Sequence, residues 1–218
     1  MPGDGEELTG PRIAGEVGQT LNEGEPVEPR QAASVIVLRD GADAPEVLLV
    51  QRTPKARFMG GVWVFPGGAV GESDADSDGA HRRAAVRELE EEAGVQLAGT
   101  DALVPFSRWI TPRAVSIRFD THFFLAELPA GQQAQVDGEE CVDLRWLSPA
   151  AALAASRSGE LPMVFPTIKH LEQIESFRAV GELLDYARGR TVEAVEPRVV
   201  MEGEVARILL PGDDGYDG

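Results

Sequence analysis

The chain has 218 residues, 43% of them hydrophobic, and its 20 basic against 37 acidic side chains leave a formal net charge of −17. That length suits one ordinary domain with tails. The acidic balance argues against a nucleic-acid backbone as partner, because neutralising phosphates takes a basic face.

A phosphate-bearing small molecule stays open to such a chain if a divalent cation stands between its carboxylates and the ligand's anionic oxygens. Cys141 is the only cysteine, so no intrachain disulfide is expected and a reducing compartment is the simplest home. Cys141 itself reads as a small, half-buried residue at the start of a strand. The first residues, MPGDGEELTG, have neither the charged nor the apolar region of a secretory signal. No apolar run approaches the ~20 residues of a membrane span, and a soluble cytoplasmic protein is the expectation.

Residues 1–30 are rich in Gly, Glu and Pro and show no periodicity, which predicts a flexible arm ahead of a domain over residues 31–188. Residues 33–39 (ASVIVLR) and 46–52 (EVLLVQR) read as two strands joined by a turn. Residues 62–65 are a short apolar piece that Pro66-Gly67-Gly68 must break. The strongest helix covers residues 80–93 (AHRRAAVRELEEEA), with Asp78 as candidate N-cap and Gly94 closing it.

Further strands are expected over residues 103–110, 117–128 and 143–147. Residues 149–156 suit a short helix capped by Ser148, with Pro149 in the first position. Across residues 167–188, Ile168, Leu171, Ile174, Phe177, Val180, Leu183 and Leu184 recur at helical spacing. Leu171, Phe177 and Leu184 would suit either a core or a dimer interface. Residues 189–218 read as an extension with a hairpin over 195–210 and a frayed tail. Strands before, between and after two main helices predict an α/β fold with a mixed sheet covered on both faces.

Glu88, Glu91 and Glu92 fall at i, i+3 and i+4 of the predicted helix and so share one side of it. Their mutual repulsion does nothing for helix stability. A hard divalent cation would reverse the sign of that interaction and take oxygen ligands from all three. Arg87, four residues before Glu91, could orient a carboxylate through a bidentate contact. Taken alone, a solvated helix face is the commoner explanation of such a charge run.

The surrounding residues change that balance. Residues 87–95, RELEEEAGV, resemble the second half of the Nudix box, REUXEEXGU, in which U is a bulky apolar residue. Phe65-Pro66-Gly67-Gly68 stands where that family has its glycine-rich loop. The resemblance implies a Nudix-like α/β/α sandwich with a loop–helix–loop catalytic box, spanning about residues 33–175. It further implies that Glu88, Glu91 and Glu92 ligate Mg²⁺, with Mn²⁺ as a substitute, around the diphosphate of a nucleoside diphosphate derivative.

One position departs. The full box has a glutamate eight residues before the arginine, where this chain has Gly79. Glu72, Asp74, Asp76 or Asp78, in a longer preceding loop, are candidates to supply the missing carboxylate. Asp74-Ala75-Asp76-Ser77-Asp78-Gly79 also copies the opening of an EF-hand loop. Ala85 stands where that loop needs its bidentate glutamate, so a solvated acidic loop is the better reading.

A second stretch is similar to the signature of coenzyme A-cleaving Nudix enzymes, LLTXR(S/A)X3RX3GX3FPGG. Here it runs through Leu48-Leu49-Val50-Gln51-Arg52-Thr53, Arg57, Gly61 and Phe65-Pro66-Gly67-Gly68, with Val50 and Thr53 off pattern. Arg52 and Arg57 are then candidates for phosphate binding, alongside Gly67 and Gly68. Residues 108–128 resemble relatives of the peroxisomal acyl-CoA diphosphatases. Trp109 would serve either as a stacking surface for adenine or as core, while Phe123 and Phe124 read as core. His122, inside a strand, reads as structural.

Glu139 and Glu140 precede the strand DLRWL, where Nudix proteins often place a glutamate that reaches a metal or activates water, and Glu140 is the expected one. The implied chemistry is attack of metal-activated water on phosphorus, with Glu91, Glu92, Glu140 and Arg87 as the catalytic set. Coenzyme A or acyl-CoA is the expected substrate. Alternatives are ADP-ribose, a dinucleotide or a nucleoside triphosphate, or a silent nucleotide sensor of the same fold. Neither nucleic acid nor membrane is an expected partner, and a homodimer is possible.

Overall fold

The computed structural model describes residues 22, 24–56, 58–74, 79–202 and 205–216. In chain order its elements are β1 (Arg30–Asp40), β2 (Pro45–Arg52), β3 (Trp63–Val64), β4 (Gly67–Ala69) and α1 (Ala80–Ala93). β5 (Val104–Ile110), β6 (Phe119–Glu127), β7 (Cys141–Leu147), α2 (Pro149–Arg157) and α3 (Phe165–Ile174) follow. The chain then forms α4 (Val180–Arg188), β8 (Ala194–Val195), β9 (Arg198–Glu202) and β10 (Val205–Leu209).

Among the described residues one mixed sheet runs β3-β2-β1-β6-β5-β8, with β4 also on β1 and β7 also on β2. β1 and β6 pair in parallel from Arg30↔Phe119 to Leu38↔Glu127. β1 meets β2 at one end of its other edge, through Leu38–Asp40, and β4 at the opposite end, through Ala32–Ser34. β1 is therefore central, and its apolar run is continuous because both of its faces are covered.

Alternation divides the run between two cores. Ile36 and Leu38 face α2, α3 and α4 with Leu49, Phe123, Leu125, Leu153, Leu171 and Leu183. Val35 and Val37 face α1 with Leu48, Phe124, Ala84, Ala85 and Leu89. The result is the expected α/β/α sandwich. Leu89 is fully buried, and truncating such a leucine to Ala costs about 2–5 kcal/mol. Leu171 and Leu184 belong to the first core, with Phe177 packed against it.

Three local expectations are corrected. First, Asp78 is not the cap of α1: Gly79 occupies that position, in the left-handed region at φ 111°, and Asp78 itself lies outside the described residues. Second, the helical pattern over 167–188 is two helices, broken between Ile174 and Val180. There the Glu182 carboxylate turns back to accept from the Arg178 N–H, and Phe177 packs on Tyr186. An exposed reversal thus lets both helices place apolar stripes on the same core.

Third, Pro66-Gly67-Gly68 ends β3 but does not end pairing, because Gly67–Ala69 rejoins the sheet on β1. Of the N-terminal arm, residues 1–21 and Glu23 lie outside the described residues. The Asn22 N–H donates to the Ala114 carbonyl, and Arg30 opens β1. At the other end β9 and β10 form an antiparallel hairpin.

Candidate active site

The FPGG turn and α1 meet edge to face. Gly67 has no room for a side chain: a Cβ there would lie 2.4 Å from the Ala33 carbonyl oxygen. Its N–H donates to Glu92 Oε2 over 2.8 Å. Gly68 passes directly over Glu88, where a Cβ would stand 2.5 Å from the carboxyl carbon. Two adjacent glycines thus let backbone lie against two carboxylates one helical turn apart.

Burial raises the pKa of both acids. Glu92 is 3% exposed, and its pKa is raised to about 7, chiefly by loss of water, with the Glu88 and Glu140 charges adding to it. Glu88 is raised for the same first reason, opposed by its hydrogen bond from Arg87. Desolvated like charges facing one another constitute an unfavourable arrangement that a cation relieves.

Glu88, Glu92 and Glu140 line one cavity of about 410 Å³ together with Arg52, Gly67, Gly68 and Trp109. Seven of the residues singled out from sequence therefore share one space. Glu140 is exposed at its mouth, with its backbone carbonyl accepting from the Thr53 N–H. Arg52 Nη1 is 4.0 Å from Glu92 Oε1, and Arg52 Nε is buried with no hydrogen-bond partner.

Arg87 stands beside the cavity rather than in it. Its guanidinium donates to Glu88, to Glu91, to the Ala69 carbonyl and to Asp74. Asp74 is buried and also accepts from the Gly71 N–H. The Arg87 hydrogen bond holds its carboxyl below the usual range. Asp74 had no signal of this pairing in the sequence beyond being one acid among several in the long loop.

Glu91 does not line the cavity: its side chain is 58% exposed and is held 2.8 Å from Arg87. Arg57, like Asp76, lies outside the described residues. Cys141 is buried, and burial followed by the neighbouring Glu92 charge pushes its thiol far up, which makes it a poor nucleophile. His122 stacks on His81 at 3.9 Å between centroids. Trp109 is half-buried, edge-on to Phe165 and His170.

Among the described residues no three His, Cys, Asp or Glu side chains stand together as a ready metal cage. The donors nonetheless fit a hard divalent cation. Glu88 and Glu92 supply carboxylate oxygens, a cation between them would relieve their repulsion, and the glycines leave the space open.

The NUDIX domain profile matches residues 28–165. The human acyl-coenzyme A diphosphatase NUDT19 is 32% identical over 120 residues, covering 53% of this chain and 32% of its own length. Its Xenopus laevis counterpart is 30% identical over 122 residues, with the same two coverages. The matched stretch thus spans about a third of these curated relatives. Among solved structures, a NUDIX hydrolase from Alicyclobacillus acidocaldarius superposes with a TM-score of 0.68 at 28% identity, covering 73% of this chain and 96% of that one. With the profile matching well over half of its length, the chain belongs to the Nudix family.

Proposed function

We propose that the substrate is coenzyme A or an acyl-coenzyme A, cleaved at its diphosphate to 3′,5′-ADP and the corresponding phosphopantetheine. The observation that carries this reading is a single cavity lined both by the carboxylates and by the aromatic rings of Phe58, Trp109, Phe119 and Phe165. Such a shape suits a substrate that joins a charged diphosphate to a long and largely apolar arm. The LLVQR…FPGG spacing and the likeness to acyl-coenzyme A diphosphatases support it.

Glu88 and Glu92 would hold the divalent cation, Mg²⁺ with Mn²⁺ as substitute, and Glu91 would join them on leaving Arg87. When bound, that cation neutralises diphosphate oxygens and acidifies a water. Gly67 N–H fixes the Glu92 carboxylate, and Arg87 with Asp74 fixes Glu88. Arg52, with its unpartnered Nε, would take a phosphate oxygen. Glu140 at the mouth would accept the proton of the attacking water as its oxygen bonds to phosphorus. The bridging P–O bond breaks and leaves a phosphate on each half. A reducing compartment such as the cytoplasm suits a chain whose one thiol is buried.

The test is product analysis with Mg²⁺ on coenzyme A, acetyl-CoA, ADP-ribose, NADH and diadenosine polyphosphates. Preferred release of 3′,5′-ADP from the coenzyme A substrates supports the proposal. Turnover confined to another compound overturns the substrate while leaving the family assignment intact.

A further inference from the structure

The profile match ends at residue 165, yet Pro197 and Ile208, well beyond it, line the same cavity as Glu88 and Glu92. The C-terminal extension therefore contributes to the substrate space. Its placement is fixed at several points. β8 pairs in parallel with β5, setting Val195 against Trp109. The Glu196 carboxylate accepts from Arg118 over 2.7 Å, and the Glu196 carbonyl accepts from the Tyr216 hydroxyl over 2.8 Å.

Arg118 is itself buried and donates to the Thr111 and Val27 carbonyls as well. It thereby joins both ends of the chain to the loop between β5 and β6. Val199 and Ile208 of the hairpin close on the buried Val115 in that loop.

At this end the cavity shows Trp109, Ile110, Pro112, Phe119, Pro197 and Ile208. The polar groups on this part of the lining are the Thr111 hydroxyl, which accepts from the Phe119 N–H, Thr121, and the exposed Arg30. A nucleobase buried among these apolar side chains would find few partners for its edge, which is costly. Methylene groups would lose nothing by the transfer.

We propose that the C-terminal hairpin forms an aliphatic-chain subsite in which Ile208, with Pro197, receives the acyl end of the substrate and limits its length. The occupant rests on the coenzyme A reading above; the apolar subsite itself does not require that the diphosphate be cleaved.

Two measurements on the full chain test this. Without metal, calorimetry with decanoyl-pantetheine, which has no diphosphate, should show binding to the wild type that weakens roughly tenfold or more in Ile208→Asp. With Mg²⁺, kcat/KM across acyl-CoAs from acetyl to palmitoyl should peak at longer chains in Ile208→Ala and at shorter chains in Ile208→Trp. Wild type that fails to bind decanoyl-pantetheine overturns the subsite. So does a chain-length profile that is unchanged or lowered by one common factor, as misfolding would produce. If no acyl-CoA is hydrolysed while decanoyl-pantetheine binding still depends on Ile208, the subsite stands and the coenzyme A reading falls.

Discussion

The backbone N–H of Gly67 and the carboxylate of Glu92 are joined by a 2.8 Å hydrogen bond that ties the glycine turn to α1. Gly68, one residue on, lies directly over the Glu88 carboxylate. The two positions differ in what a methyl group would strike, and that separates folding from chemistry.

At Gly68 an added Cβ meets only the flexible end of Glu88, within 2.6 Å of all three carboxyl atoms. Gly68→Ala should therefore fold, with a melting temperature close to wild type, while displacing Glu88 lowers kcat by roughly a hundredfold. At Gly67 the Cβ meets the backbone of Ala33 and Ser34, and Gly67→Ala should cost about 1–3 kcal/mol of stability. Equal effects of the two on melting would refute the distinction.

Glu92 is buried at a cost to stability. Its carboxyl is raised from 4.5 to about 7, so the unfolded chain ionises first. Stability is full below the unfolded value and falls as pH rises through 4.5 to 7. In EDTA at pH 8, Glu92→Gln should melt higher than wild type, by an amount on the order of 2 kcal/mol, while Mg²⁺-dependent turnover is lost. Glu91→Gln, whose side chain is exposed on Arg87, should leave metal-free melting unchanged. A lower melting point for Glu92→Gln would show that its hydrogen bond outweighs its burial.

His170 behaves in the opposite direction. It is fully buried, with Ser107 Oγ 2.5 Å from Nε2. Burial depresses its pKa to about 3, only partly offset by the Pro166 carbonyl; Nδ1 forms no well-shaped hydrogen bond. The unfolded chain takes up the proton first, so stability is full above pH 6.5 and is lost as pH falls from there toward 3, at about 1.4 kcal/mol per unit. His122, lowered to about 4 by burial and by His81, acts in the same sense. Urea midpoints at pH 7.5 and 5.0 should diverge less in His170→Gln than in wild type. Parallel behaviour would exclude His170 as a source of the slope.

Arg118 joins Val27, Thr111 and Glu196. Arg118→Met should destabilise the chain by about 2–3 kcal/mol, since it leaves these acceptors unpaired. Amide exchange should accelerate first in β8 and β9. Uniform acceleration across the sheet would mean that Arg118 does not specifically fix the C-terminal extension.

Composition and the closing Gly94 were enough to place α1 over residues 80–93, and β-branched and leucine-rich runs placed most of the longer strands to within a few residues. Helical spacing also brought Glu88 and Glu92 together, but it could not place Glu91. At about 100° per residue, Glu88 and Glu92 are about 40° apart while Glu91 lies about 60° to the other side of Glu88, far enough to reach Arg87 and solvent. The break between α3 and α4 was hidden because an apolar repeat continues through Phe177, and repeats carry no mark of a reversal. Asp74, one of four acids offered for the missing box carboxylate, and Ile208, which carried no signal, were hard to assign for a different reason. Their roles depend on contacts with Arg87, 13 residues away, and with Val115 across the fold, which local pattern does not encode.

Metal-dependent hydrolysis of a diphosphate in the cavity lined by Glu88 and Glu92 is what we propose for this chain. The most direct measurement is turnover of coenzyme A in ¹⁸O-labelled water with Mg²⁺, followed by mass analysis of both products. One ¹⁸O atom is expected in the phosphate of one product, either 3′,5′-ADP or phosphopantetheine, with no conversion by Glu92→Gln. Full turnover by Glu92→Gln, or products without ¹⁸O, would contradict it.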